Sequence, residues 1–165
     1  MAVLNVHQRR LPVSAAEVGA LIDSLAGETD VLWPHQTWPA MEFDRPLGLN
    51  ADGGHGPIRY VVSHYAPGSW IRLTFTGPRG FHGFHEYAVH TQDNQTVLRH
   101  TLAMRLRGPA RLTWPLAFRP LHDALIEDSL DRAEMATVGS VTRPARWSGY
   151  VVLLRKCLGA RSVRR

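Results

Sequence analysis

The side chains best suited to chemistry in this chain are the histidines and tyrosines that recur through its middle: Tyr60, His64, His85, Tyr87 and His100. An imidazole exchanges a proton near neutral pH, and a phenol beside it can hold a carbonyl or another phenol by hydrogen bonding. Tyr87 directly across a hairpin from His100 would make such a pair, with His85 as a third candidate. The competing role is that these polar tips satisfy one another or a buried water. Nine histidines also invite a metal reading. A zinc site needs three or four ligands about 2.0–2.3 Å from one point. His82 and His85, three apart on a strand, face opposite sides. His64 and His85 are separated by an intervening strand, roughly 9–10 Å, and His85 and His100 are diagonal neighbours. These spacings give no metal site, and no cofactor is expected.

Other constellations are weaker. No Ser–His–Asp order, nucleophilic cysteine or dinucleotide fingerprint supports hydrolase or redox chemistry. The run Gly53-Gly54-His55-Gly56 lacks the Lys-Ser/Thr ending of a phosphate loop and does not open a helix. It reads either as a hinged loop or as a plain connection. Glu86 is expected to face outward in a cross-strand charge pair with Arg99 and Arg105. Asp128 and Arg132 have the i, i+4 spacing of a helical ion pair. His122 and Asp123 diverge by roughly 100° on a helix, which disfavours a dyad there.

The elements that must position these residues follow from pattern and punctuation. Residues 2–13 read as a strand, and Ser14-Ala15-Ala16-Glu17 has the spacing of a capping box. Val18, Leu21, Ile22 and Leu25 continue at helical spacing to Gly27. Residues 28–57 read as mostly irregular. Four strand-like runs follow, about 58–65, 69–76, 81–91 and 95–107, separated by turn chemistry at Ala66-Pro67-Gly68, Gly77-Pro78-Arg79-Gly80 and Gln92-Asp93-Asn94-Gln95. A two-residue turn at Asp93-Asn94 pairs Val89 with Leu98, Tyr87 with His100 and His85 with Leu102. A tight turn at Pro67-Gly68 puts Ile71, Leu73 and Phe75 beside His64, Val62 and Tyr60. Pro115 and Pro120 predict a short helical turn near 110–118, then a longer helix from Pro120 to Thr137, stopped by Gly139.

The chain has 165 residues, 44% hydrophobic and 20% charged, enough for one well-cored domain. Its longest apolar run, residues 150–154, is far below the roughly 20 residues of a membrane span. With no signal-peptide pattern and the single Cys157, a cytoplasmic location is expected. The net charge of +5 is unevenly placed: residues 1–142 hold 12 arginines against 14 acids, net −2, whereas residues 143–165 hold six arginines, Lys156 and no acid, net +7. The mildly acidic body argues against nucleic-acid binding, which spreads positive charge over a face of a fold. In the tail, Trp147, Tyr150, Val151, Leu154 and Leu158 recur at helical spacing among basic residues. That pattern suits a helix lying on an anionic membrane or a partner, or one packed on the domain or on a second copy in a homodimer, with a disordered tail as the remaining alternative.

The order strand, helix, loop, antiparallel strands, long C-terminal helix, with the stretches 53–60, 80–85, 96–100 and 119–125, resembles the SRPBCC superfamily of START-like and polyketide cyclase/dehydrase-like proteins. The resemblance spans roughly residues 2–139. It implies an α+β helix-grip fold: about seven antiparallel strands curled around a long C-terminal helix, with a hydrophobic cavity between them. Residues 1–140 would then be a ligand-binding domain and 141–165 an appended tail. From the sheet, Tyr60, Val62, Leu73, Phe75 and His85 are expected to line the cavity, with Tyr87, His100 and Met104. Leu121 and Leu125 would face them from the helix. Trp33, Trp38 and Trp114 are either core or cavity wall, and the Gly53–Gly56 run would be a loop over the mouth. The function implied is binding of a lipid-, polyketide- or aromatic-like molecule. The alternative is a cyclase or dehydratase using His100, Tyr87 and His85 as acid–base groups.

Overall fold

The computed structural model describes residues 1–162, with side chains through Cys157. Seven strands form one antiparallel sheet: β1 (Ala2–Leu11), β2 (Glu42–Phe43), β3 (Asp52–His55), β4 (Ile58–Ala66), β5 (Trp70–Gly77), β6 (Phe81–Gln92) and β7 (Gln95–Leu106). Their order across the sheet is β1-β7-β6-β5-β4-β3-β2. Helix α1 (Ala15–Asp23) is followed late in the chain by α2 (Ala110–Thr113), a π-helical turn (Trp114–Phe118), α3 (Arg119–Val138) and α4 (Gly149–Ser162). The curved sheet with its long C-terminal helix is the expected helix-grip architecture. No helix among the described residues is long and apolar enough to cross a membrane.

Local chemistry explains most of these elements. Ser14 accepts from the Glu17 backbone N–H while the Glu17 carboxylate accepts from the Ser14 N–H, closing the capping box that starts α1. Asp93 and Asn94 both take positive φ, 51° and 58°, the requirement of the tight turn whose twist matches a hairpin. The β6–β7 register is therefore the expected one, with Val89 opposite Leu98, Tyr87 opposite His100 and His85 opposite Leu102.

The β4–β5 hairpin departs from expectation halfway along. Tyr60 faces Phe75 and Val62 faces Leu73 as expected, but a bulge at Ser63 then pairs His64 with Arg72 and Tyr65 with Ile71. One extra residue reverses the inward and outward alternation beyond it. His64 is consequently exposed against the Trp70 ring instead of joining the inner face.

The stretch read as irregular contains two short strands. Gly53 and Gly54 lie within β3, paired to β2 and β4, rather than in a loop over a mouth. A Cβ on Gly53 would strike the Glu42 carbonyl, and one on Gly54 the Ile58 carbonyl, so glycine permits this close strand approach. Buried Asp30 organises the preceding loop by accepting from the N–H groups of Ala26, Leu32 and Trp33 at 2.7–2.9 Å.

The two prolines do not separate the C-terminal helix into pieces. The wider π turn carries the chain from α2 into α3, absorbing the hydrogen bonds that proline cannot make. The Leu116 carbonyl, whose α-helical partner would be residue 120, instead accepts from the Tyr150 hydroxyl. Gly139, at φ 79°, ends α3 in the left-handed conformation.

Residues 145–155 dock on the domain. The indoles of Trp38 and Trp147 both donate to Asp128, at 2.7 and 2.9 Å, and Arg155 lies between their rings at 4.1 and 4.2 Å. Asp128 therefore does not pair with Arg132, which donates instead to Gln36 and to the Asp30 carbonyl. Two indole donors already occupy one Asp128 oxygen, and the loop carbonyl draws the guanidinium away. Val151 is buried, whereas Tyr150, Val152 and Leu153 face outward. The Leu158 position of the expected stripe lies outside the described side chains.

Candidate functional site

The sheet presents its inner face to α3, and the expected lining residues gather there. Tyr60, Val62, Leu73, Tyr87 and His100 are fully buried, His85, Met104 and Leu125 nearly so, and Phe75 and Leu121 are half-buried. Tyr60, Val62, Leu73, Tyr87 and Leu125 belong to the main core, while Met104 and Phe75 pack with Phe81, Leu102 and Trp114. His85 joins the two groups. Its ring stacks on Phe75 at 5.2 Å and meets Tyr60 edge-on at 5.0 Å.

A row of polar groups crosses this apolar interior. His55 Nδ1 is 3.1 Å from the Tyr60 hydroxyl, and His85 Nδ1 is 3.3 Å from His100 Nε2. The His100 ring lies 4.8 Å from Tyr87 and 5.1 Å from His122. Tyr87 and His100 are neighbours, as the register requires, but they do not hydrogen-bond each other. The long phenol reaches past the imidazole to Ser129 on α3, 2.8 Å away, and Ser129 in turn donates to the Leu32 carbonyl. His85 Nε2, His100 Nδ1 and His122 Nε2 are buried without a protein partner.

Burial keeps these imidazoles neutral. It lowers His85 and His100 well below the ordinary histidine value, reinforced by repulsion from neighbouring imidazoles, and lowers His55 to about 3. Burial likewise raises the Tyr60 and Tyr87 phenols. The interior thus offers neutral nitrogens and hydroxyls, able to exchange hydrogen bonds without presenting charge.

At the margin, where β1 meets α3, the polarity becomes ionic. His7 Nδ1 is 2.6 Å from Glu127 and its Nε2 is 3.3 Å from Asp123 Oδ1. His122 Nδ1 is 3.4 Å from the same oxygen, which also accepts from the Asn5 amide at 2.9 Å. Burial would depress His7, but its bonds to Asp123 and Glu127 outweigh it and lift the imidazole to about 9. The adjacent pair His122 and Asp123 does meet here, because side-chain rotation offsets their divergence on the helix. Among the described residues, His7, His122 and Asp123 are the group whose ligand atoms lie close enough together to hold a metal ion.

Glu86 takes another partner than expected, while Trp33 and Trp114 are core residues. Glu86 pairs with Arg72 of β5, directly opposite in register, at 2.8 Å, and not with Arg99 or Arg105. Trp33 packs on His55 and Trp114 on Phe81 and His122, while Trp38 belongs to the tail contact. Two open surface clefts lie outside the interior. One of about 520 Å³ runs between Gln36, Asp128, Arg132 and Trp147, and one of about 480 Å³ lies beside Met1, Arg105 and Arg111. His7 and Ser129 were missed by sequence reasoning, which set His122 aside and placed His55 only in a loop. The two-residue alternation of Asn5, His7 and Arg9 on a strand was the available signal for His7.

No family model matches the sequence, and no curated protein matches it. Solved structures match over 82–99% of the chain. CalU16 from Micromonospora echinospora aligns at a TM-score of 0.59 and 13% identity, covering 99% of this chain and 90% of that one. Ara h 8.0201 aligns at 0.59 and 12%, covering 85% and 100%. Truncated norcoclaurine synthase from Thalictrum flavum aligns at 0.59 and 13%, covering 82% and 92%. The chain has the helix-grip fold that these structures share, a curved antiparallel sheet with a long C-terminal helix.

Proposed function

We propose that residues 1–140 bind a hydrophobic small molecule bearing a polar group, held between the sheet and α3. The observation that carries this reading is the pair of buried, unpartnered nitrogens His85 Nε2 and His100 Nδ1 within an aromatic wall. Leaving such a group unsatisfied costs about 1–3 kcal/mol, which a ligand carbonyl, hydroxyl or phenol would recover. Tyr60, Phe75 and Tyr87 would contact its apolar body, with Val62, Leu73 and Met104. Leu121 and Leu125 would close it from α3. Because side chains fill the interior, binding requires that they part.

A fluorescent naphthalene sulfonate probe tests the site. His100→Ala is expected to weaken its binding about tenfold, a loss of about 1.4 kcal/mol. Equal affinity in wild type, His100→Ala and Tyr87→Phe would remove both residues from the contact surface.

The second reading is acid–base catalysis of a cyclase or dehydratase type. The hydrogen-bonded His85–His100 pair favours it, because an unpartnered imidazole nitrogen can hydrogen-bond the reacting group of a substrate while the partner ring holds its orientation. A synthase among the structural neighbours lends it support. Native mass spectrometry of freshly purified protein would separate the readings: a retained small molecule favours binding, and turned-over product favours catalysis.

The tail would serve as a brace, with peripheral membrane contact through its outward side. Tyr150, Val152 and Leu153 are exposed there, in a segment that also carries Arg146 and Lys156, a composition suited to anionic lipid. Ending the chain at Gly139 is expected to lower the melting temperature, since Trp147 and Val151 lose their packing. It is also expected to reduce co-sedimentation with anionic vesicles. A melting temperature unchanged by truncation would argue against the brace, and unchanged sedimentation against the membrane role.

A further inference from the structure

We propose that His7, His122 and Asp123 form a binding site for a zinc-type divalent cation where β1 meets α3. The argument rests on distances. Zinc bonds nitrogen and oxygen at about 2.0–2.2 Å, so neighbouring ligands in a tetrahedral site stand about 3.3–3.4 Å apart. His7 Nε2 and His122 Nδ1 stand 3.3 and 3.4 Å from Asp123 Oδ1. Charge-assisted hydrogen bonds are shorter, about 2.7–2.9 Å. The contact on the other side of the His7 ring, 2.6 Å to Glu127, shows what a tight imidazole–carboxylate bond looks like in this cluster. Two imidazole nitrogens thus approach one carboxylate oxygen at ligand-to-ligand spacing.

The surrounding groups have the arrangement that a ligating histidine requires. Glu127 receives the Nδ1 proton of His7, so that a cation displacing the proton on Nε2 would find that nitrogen facing the cluster. A carboxylate behind a metal-bound imidazole fixes its tautomer and raises its basicity. Asn5 donates to Asp123 Oδ1 and so fixes the carboxylate, and its own Oδ1 is buried without a partner. That oxygen stands beside the site as an acceptor for a water in the fourth position. Three protein ligands with a water-filled fourth place are the pattern of an open zinc site. The inference is independent of the small-molecule reading, since none of the three ligands is assigned to the ligand's contact surface.

Cobalt(II) is the direct probe, because a four-coordinate site gives it strong visible absorption. Full-length protein freed of metal by a chelator is titrated with Co²⁺, followed by absorbance and calorimetry, and then with Zn²⁺ in competition. One equivalent of four-coordinate Co²⁺ displaced by Zn²⁺ is expected. Asp123→Asn and His122→Ala should each abolish it with the far-ultraviolet circular dichroism unchanged. Glu127→Gln, which keeps the three ligands, should weaken binding about 10–100-fold. Should His122→Ala fail to fold, the near-isosteric Asp123→Asn decides alone. Absence of the four-coordinate spectrum, or its survival in Asp123→Asn, overturns the proposal and leaves the cluster as an ion-paired seam.

Discussion

Replacing Arg9 with alanine is expected to destabilise the protein by about 3–5 kcal/mol, the range found when one partner of a buried ion pair is removed. The Arg9 guanidinium reaches across from β1 to three acids of α3. It donates to Glu134, to Asp131 at 2.8 Å and to Glu127 at 3.4 Å. Both closer carboxylates are largely buried, with side-chain exposures of 9% for Glu134 and 17% for Asp131. They also hold the chain beyond α3, because Glu134 accepts from the N–H and hydroxyl of Thr142, and Asp131 from the N–H of Ala145. Without Arg9 these acids would remain desolvated and repel one another. Arg9→Lys keeps the charge but cannot fork, so an intermediate loss is expected. Urea unfolding of Arg9→Ala, Glu134→Gln and the double variant measures the coupling. A loss under about 1 kcal/mol for Arg9→Ala would assign this cluster the weak energetics of a surface ion pair.

This seam shows where the sequence was legible and where it was not. The Asp93-Asn94 turn fixes a local register, and that register alone brings His85, Tyr87 and His100 onto one buried face. The Ser14–Glu17 cap and the Gly139 stop are local too, and both stand where the sequence puts them. The bulge at Ser63 has no such signature. One additional residue in a strand of ordinary composition moved His64 from the inner face to solvent. The strand at Gly53-Gly54 was hidden for a related reason: glycine-rich sequence reads as turn unless the neighbouring backbones that exclude a Cβ are known. Pairings over long separation were the hardest. Arg9 and Glu134 are 125 residues apart, yet their elements carry matching patterns. Asn5, His7 and Arg9 repeat every second residue on β1, and Asp123, Glu127, Asp131 and Glu134 repeat every three or four on α3. Each stripe taken alone reads as a solvated face, and only their juxtaposition identifies a seam.

Acidification from pH 6.5 to 4.5 is expected to destabilise the fold steeply, through the interior histidines. His85 is only 4% exposed and is lowered well below the ordinary histidine value. His55, which keeps a small exposed edge, is lowered to about 3. In both cases burial is the first cause. In the unfolded chain each imidazole would take up a proton near pH 6.5, whereas in the folded interior it stays neutral. Below pH 6.5 the unfolded state therefore binds more protons, and stability falls as pH falls. Above pH 6.5 neither state is protonated at these positions and the effect vanishes. Each such histidine contributes up to about 1.4 kcal/mol per pH unit, so two of them remove up to about 5 kcal/mol across this interval. That is comparable with the whole stability of many domains, about 5–15 kcal/mol. Ordinary carboxylates titrate mainly below this window, which leaves it to the imidazoles. Urea midpoints measured in chelator at half-unit steps would give the slope, and His85→Gln should reduce it by about one proton. A slope unchanged by His85→Gln, or a His85 resonance titrating near 6.5 in the folded protein, would mean that water reaches this ring and that its lone nitrogen is already satisfied.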